Sequence, residues 1–396
     1  MYTNRLQPCM LHPAACRVFL CLCLCFIAYM ADLQAQTLSR RQCEQLARQL
    51  RSEWTDSVRR AMADSHAQRV IVRDAGPMRL HWTVFGDAPA DGRSLFISLH
   101  GGGGAPPQLN NAQWQNQWQL YQPAEGVYLC PRPPFNTWDL HFRPELDEYY
   151  ADLIRMMVVC EGVNPDKVYV MGYSAGGDGV WRLAPRLADR WAAASMMAGH
   201  PGDVSLVNLR NLPFMIWCGA NDAAYDRNRE CQRRMAEMDS LHRADPQGYV
   251  HENHLVAGKG HWMDRQDTVA VVWMARHRRN PLPDTIVWRQ GDVPQRCMYW
   301  LQVPAAEMTR DREVRIRRDG NRFDIDRADY SELTILLNDA MIDFARPVVV
   351  CYNGKQIFKG KLRRRADVLR RTLYDRGDPS LMFSAELRVM LKKQGF

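Results

Sequence analysis

From residue 70 onward the chain alternates two apolar patterns. Short runs such as SLFISLH, GVYLCPRP, KVYVMGYS, WAAASMMAG and LPFMIWCGA are apolar almost without interruption. A strand buried on both faces needs no polar side and reads this way. Between them lie longer segments, ELDEYYADLIRMMVVCEG, GDGVWRLAPRLADR, RNRECQRRMAEMDSLHRAD and DTVAVVWMARHRR, that read as helices. Strands alternating with helices predict a mainly parallel sheet covered on both faces, an α/β fold. VIVR and MRLHWTVFG add strands at the front, and YVHENHLVAGKGH is a strand that runs into a loop. Residues 37 to about 68, rich in helix formers and free of Gly and Pro, predict a polar amphipathic helix packed on the sheet-forming domain.

The pattern changes at NPLPD, residues 280–284, where two prolines punctuate the chain. Beyond it the apolar runs are short and β-rich, from TIVWRQ to LMFSAELRVML, with one helical stretch at ADVLRRTLYDR. YNGK marks a hairpin, since Asn-Gly suits a two-residue turn. These runs predict a smaller C-terminal β-sandwich-like domain over 284–396, after a helical segment at 36–69 and the α/β domain at 70–283. Residues 37–283 are then expected to act unaided.

The N-terminus carries Arg5 and Arg17, then VFLCLCLCFIAYMA, then a small residue at Ala35. A basic start, a short apolar run and a small residue describe a secretory signal peptide over 1–35. The run is short for a membrane span, so the expected product is periplasmic or secreted, with no stable span after cleavage. Composition is ordinary for a globular chain, 46% hydrophobic and 24% charged. Most of the net charge of +8 lies beyond Asp284, but charges of both signs alternate there, as on solvated strands. Nucleic acid is therefore not the expected partner. Beyond the apolar run the cysteines, Cys43, Cys130, Cys160, Cys218, Cys231, Cys297 and Cys351, are odd in number and lack a CxxC pair. They form neither a disulfide framework nor a zinc site. HENH, residues 251–254, is one residue short of a zinc-protease motif, and no metal is expected.

Against this background one stretch carries chemistry. Gly172-Tyr173-Ser174-Ala175-Gly176 follows an apolar strand and opens a helix. In that setting G-x-S-x-G is a nucleophile elbow, with the serine on a sharp turn. A serine hydroxyl is a weak nucleophile and needs a base, a group that orients the base, and donors for the oxyanion. The acid is expected at the end of a later strand, where GANDAAYDR offers Asp222 and, further on, Asp226. The base is expected last in chain order, where GKGHWMD offers His261 on a glycine-containing loop; His251 and His254 are its rivals. LHGGGG, residues 99–104, suits an oxyanion loop: the N–H of Gly102 or Gly103 would act with that of Ala175. Trp138, His200 and Trp262 fall on loops at the same end of the sheet and are candidates to touch substrate.

LHGGGG, GYSAGG, GANDAAYDR and GKGHWMD together resemble the α/β-hydrolase superfamily. Within it they are most similar to exported esterases of the polyhydroxybutyrate-depolymerase and feruloyl-esterase type, and more distantly to prolyl-oligopeptidase-like hydrolases. The resemblance covers roughly residues 70–280. It implies an α/β-hydrolase fold with nucleophile Ser174, acid Asp222 and base His261. It also implies hydrolysis of a small-molecule or polymeric carboxylic ester through an acyl-enzyme, without a cofactor. A peptidase with the same three residues is a second expectation. A carbohydrate- or surface-binding protein with an idle hydrolase fold is a third.

Overall fold

The computed structural model describes residues 37–391. The apolar run and Ala35, on which the signal-peptide reading rests, lie outside the described residues. Helix α1 (Arg40–Gln68) opens with a capping box: the Gln42 N–H donates to Ser39 Oγ, and the Ser39 N–H to Gln42 Oε1. Eight strands then form one sheet: β1 (Val70–Arg73), β2 (Gly76–Phe85), β3 (Arg93–Leu99), β4 (Gly126–Arg132), β5 (Val163–Tyr173), β6 (Ala193–Met197), β7 (Phe214–Gly219) and β8 (His251–Val256). Their order is β1-β2-β4-β3-β5-β6-β7-β8. β2 runs antiparallel to both its neighbours and the rest are parallel. The sheet is thus mixed at one edge and parallel through its centre, as the α/β-hydrolase resemblance implies.

The uninterrupted apolar runs are explained by cover on both faces. Leu95, Ile97 and Leu99 of β3 pack with residues of α3 (Leu146–Cys160), α4 (Ala175–Arg186) and α5 (Arg227–Ala244). Phe96, between them, points to the other face, which packs with Trp114 of α2 (Pro107–Trp118) and with α6 (Val269–Met274). α6 is shorter than DTVAVVWMARHRR suggests. The chain leaves the helix early enough for Arg279 to turn inward, where its N–H meets Asp166 O and its guanidinium meets Asp166 and Asp378.

Beyond Asp284 two further sheets form. One joins β9 (Thr285–Arg289), β12 (Glu313–Asp319), β13 (Arg322–Ala328), β15 (Val348–Tyr352) and β16 (Lys355–Gly360), in that order. The other joins β10 (Cys297–Met298), β11 (Leu301–Gln302), β14 (Glu332–Leu337) and β17 (Ala385–Met390). The YNGK hairpin links β15 to β16, with Asn353 and Gly354 both at positive φ. Apolar residues of both sheets, among them Trp288, Ile316, Leu301 and Leu387, belong to the same continuous core as β3 and β5 of the eight-stranded sheet. Helix α7 (Ala366–Arg376) packs Leu369 and Leu373 against Cys43, Leu50 and Trp54 of α1. The short strand Thr37–Leu38 pairs with Arg364–Arg365 beside it. The seven cysteines of the described residues are free thiols.

Candidate active site

Four loops at the carboxyl ends of parallel strands of one sheet build the site. Ser174 follows β5, the glycine loop follows β3, Asp222 follows β7, and His261 follows β8. Ser174 sits at φ 58°, ψ −121°, a conformation that costs a non-glycine residue about 1–3 kcal/mol. Its neighbours hold it there. The Ser174 N–H donates to Met197 O at 3.0 Å, and the Asp178 N–H donates to Ser174 O at 2.9 Å. The turn is also crowded: a Cβ on Gly176 would lie 2.0 Å from Leu99 O, and one on Gly172 2.3 Å from Gly176 O. The motif's glycines are there because backbone fills the space a side chain would take.

His261 bridges the other two groups. Its Nδ1 is 2.8 Å from Asp222 Oδ2 and its Nε2 is 2.9 Å from Ser174 Oγ. The carboxylate can only accept, so Nδ1 carries the hydrogen and Nε2 is left to accept from the serine hydroxyl. Asp222 is buried, whereas the His261 side chain is 44% exposed. Tyr173 braces the loop that carries His261: its OH donates to His261 O at 2.5 Å and accepts from the Met263 N–H at 3.2 Å. Asp226 is instead turned to solvent beside Arg229. His251 bonds Asp239, and His254 stacks on Trp217, so neither rival approaches Ser174.

The glycine loop separates its two candidates. The Gly103 N–H donates to Asn110 Oδ1 at 2.9 Å, so it is already engaged and is not a free oxyanion donor. Among the described residues the N–H groups of Gly102 and Ala175 have no partner. A Cβ on Gly102 would meet Asn110 Oδ1 at 2.2 Å, which restricts this position to glycine. Asn110, fully buried, ties the loop together through Gly103, Ala105 and Asn136. Beneath it the His141 ring bonds His100 O at 2.8 Å, and burial pushes the His141 pKa down to about 3. His141 is therefore a buried support beneath the glycine loop.

A cleft of about 530 Å³ opens at Ser174 and His261, walled by Trp262 and by Leu109, Gln113 and Asn116 of α2. Trp262 thus lies on the cleft wall, beside His261. Trp138 is 63% exposed and its backbone runs along Gly103 and Gly104, at the rim rather than in the wall. His200 does not line the cleft: its Nδ1 accepts from the Gly202 N–H at 3.0 Å, and its own N–H donates to Asp178 at 2.6 Å. It is a turn residue, which corrects its assignment as a substrate contact. Trp114 and Trp118 pack inward, on Cys130 O and on the His81 ring. Burial pushes the Asp178 carboxyl up, and the His200 N–H and the Arg227 charge pull the other way. Sequence reasoning missed Asn110, Tyr173 and above all Arg227, whose Nη1 donates to Asp222 Oδ1 at 2.8 Å. Its only sequence signal was a basic residue five positions after the acid. No group of three or more His, Cys, Asp and Glu among the described residues is gathered as metal ligands would be.

No protein-family model matches the chain. Among curated proteins it is 30% identical over 160 residues to "Putative esterase NocK" of Nocardia uniformis subsp. tsuyamanensis, covering 37% of this chain and 45% of that protein. The chain thus spans less than half the length of the curated relative it matches. Similar solved structures include a thermostable esterase (18% identity, TM-score 0.39, 53% of this chain and 62% of that one). A ferulic acid esterase (14%, 0.37, 52% and 96%) is another. So is the fluorophosphonate-binding serine hydrolase FphF of Staphylococcus aureus (13%, 0.37, 52% and 96%).

Proposed function

We propose that the protein is an exported serine hydrolase that cleaves carboxylic esters. The observation that carries this reading is the relay from Asp222 through His261 to Ser174, at 2.8 and 2.9 Å, on a turn that opens into a cleft. His261 takes the Ser174 proton as the oxygen attacks the ester carbonyl. The N–H groups of Gly102 and Ala175 receive the oxyanion; one such donor is worth about 2.7–4 kcal/mol of barrier. The alcohol leaves with the proton held on His261 Nε2. Water, deprotonated by the same nitrogen, then releases the acid and restores Ser174. Asp222 keeps the imidazole in the tautomer this requires. The amides of Gln113 and Asn116, with the exposed faces of Trp262 and Trp138, support a polar substrate such as a polymer- or carbohydrate-linked ester. Export is supported by the sequence pattern of residues 1–35.

Fluorophosphonate labelling tests the nucleophile. Wild type is expected to label and to hydrolyse small acyl esters in preference to peptide amides, and Ser174→Ala to do neither. An unlabelled wild type, or equal labelling of Ser174→Ala, would overturn the proposal. Preference for amides would favour the peptidase.

A further inference from the structure

Asp222 is held in an uncommon way. A buried carboxylate is ordinarily satisfied by several donors, backbone N–H groups among them. Among the described residues the Asp222 carboxylate has only two partners, and both are side chains: His261 on Oδ2 and Arg227 on Oδ1. Asp222 is 2% exposed and the Arg227 side chain 9%, so no bulk solvent stands ready to replace either. Among the described residues Arg227 has no second carboxylate bond.

The local fold is arranged to bring this guanidinium back over the acid. Arg227 is the first residue of α5, directly after Tyr225 and Asp226, two consecutive non-glycine residues at φ 57° and 55°. That reversal is unfavourable for both and turns the helix start toward the acid loop. Asn228 secures it: its N–H donates to Asp222 O at 2.9 Å, and its side-chain N–H to Ala220 O at 2.8 Å. The Tyr225 ring, 5.6 Å from the guanidinium, faces its outer side.

We infer that Arg227 is a positioning residue, holding Asp222 by Oδ1 so that Oδ2 stays on His261 Nδ1. The inference rests on the proposed roles of Ser174, His261 and Asp222. Arg227 Nη1 also lies 3.2 Å from His261 Nδ1. That nitrogen spends its hydrogen on Asp222 and has no lone pair to offer, so the guanidinium acts on the base through the carboxylate. Without Arg227, Oδ1 is buried and unpaired, the carboxylate turns or draws in water, and the imidazole loses its orientation. Arg227 does not line the cleft, so ground-state binding of a small ester is left alone.

The test is a double-mutant cycle on the full chain with a small acyl ester, reading kcat, KM and the rate of fluorophosphonate labelling. Arg227→Gln is expected to lower kcat and labelling rate together by about 10- to 100-fold, the usual range for a group that orients a functional side chain. KM should stay within about twofold. Arg227→Lys, which keeps a donor and the charge, should recover part of the loss and carries the test if the glutamine variant does not fold. In an Asp222→Asn background either substitution should cost nothing further, because the carboxylate it served is gone. Wild-type kcat in both Arg227 variants would overturn the inference. So would a loss of the same size in the Asp222→Asn background, or a rise in KM at constant kcat. An unlabelled, inactive wild type, or full activity in Asp222→Asn, would instead overturn the proposed function and take the inference with it.

Discussion

His141 shows how much of the site depends on residues that never meet substrate. Its ring is wholly buried; Nε2–H donates to the carbonyl of His100, the residue from which the glycine loop springs. Among the described residues the other nitrogen, Nδ1, has no partner, and neither does Nε2 of His100. An added proton would have nothing to bond, so burial holds His141 down to about 3 and His100 well below its ordinary value. The unfolded imidazole takes its proton near pH 6.5. Below that value the unfolded state therefore binds more protons, and stability is full above about pH 6.5 and falls as pH drops toward 3. Each histidine contributes at most about 1.4 kcal/mol per pH unit to that slope. His141→Gln keeps a donor for His100 O but does not titrate. Thermal melts between pH 7 and 5 are expected to give a shallower fall in Tm for the variant; equal slopes would refute this account of the ring.

At the scale of elements, the elbow and the glycine loop are one construction, because β3 and β5 lie side by side. Leu99 pairs with Gly172 across them, and Leu99 O stands 2.0 Å from where a Gly176 Cβ would be. The atom that would clash is backbone and cannot move without parting the strands. Gly176→Ala is expected to cost more than about 3 kcal/mol and to give little soluble protein. Gly260, next to His261, is the control: nothing lies within 4 Å of its Cβ position and its φ is ordinary. Gly260→Ala should stay within about 0.5 kcal/mol of wild type by denaturant unfolding. Similar losses in the two variants would show that crowding is not what the motif's glycines answer.

The whole molecule is joined by buried charge as well as by its continuous core. Arg279 binds Asp166 and Asp378, each at 2.6 Å, and Arg376 binds Asp189, whose carboxylate also accepts the Tyr299 N–H. Burial works to raise the Asp189 and Asp378 carboxyls, but the arginines outweigh it and hold both below the usual range. Their stabilisation is thus present above about pH 4 and is lost as pH falls through the lower folded values. Cutting the chain after Pro283 removes Arg376 and Asp378, which takes from buried Asp189 its close arginine and leaves Arg279 with Asp166 alone of its two carboxylates. Breaking a buried pair on one side typically costs about 3–5 kcal/mol. The 37–283 fragment, self-sufficient when judged by sequence pattern alone, is therefore expected to be unfolded or aggregated, as read by circular dichroism and size-exclusion chromatography. A soluble, ester-cleaving fragment would show that the interface is dispensable.

The sequence by itself determined what local pattern can encode. Uninterrupted apolar runs require strands covered twice, so the sheet was legible. The chain order Ser174, Asp222, His261 was legible because each lies beside a turn signal at a strand end. What only the tertiary structure decided are choices between neighbours in sequence that differ in what they face. Asp222 and Asp226 are four positions apart, yet one is buried against His261 and the other points to solvent. Gly102 and Gly103 are adjacent, and a single buried amide, Asn110, occupies one N–H and leaves the other. His200 sits at the expected strand end but is spent on a turn, and Arg227 carries no motif at all. Hydrogen bonds are directional and reach about 3 Å, so these assignments depend on how segments far apart in the chain meet, which no local periodicity records.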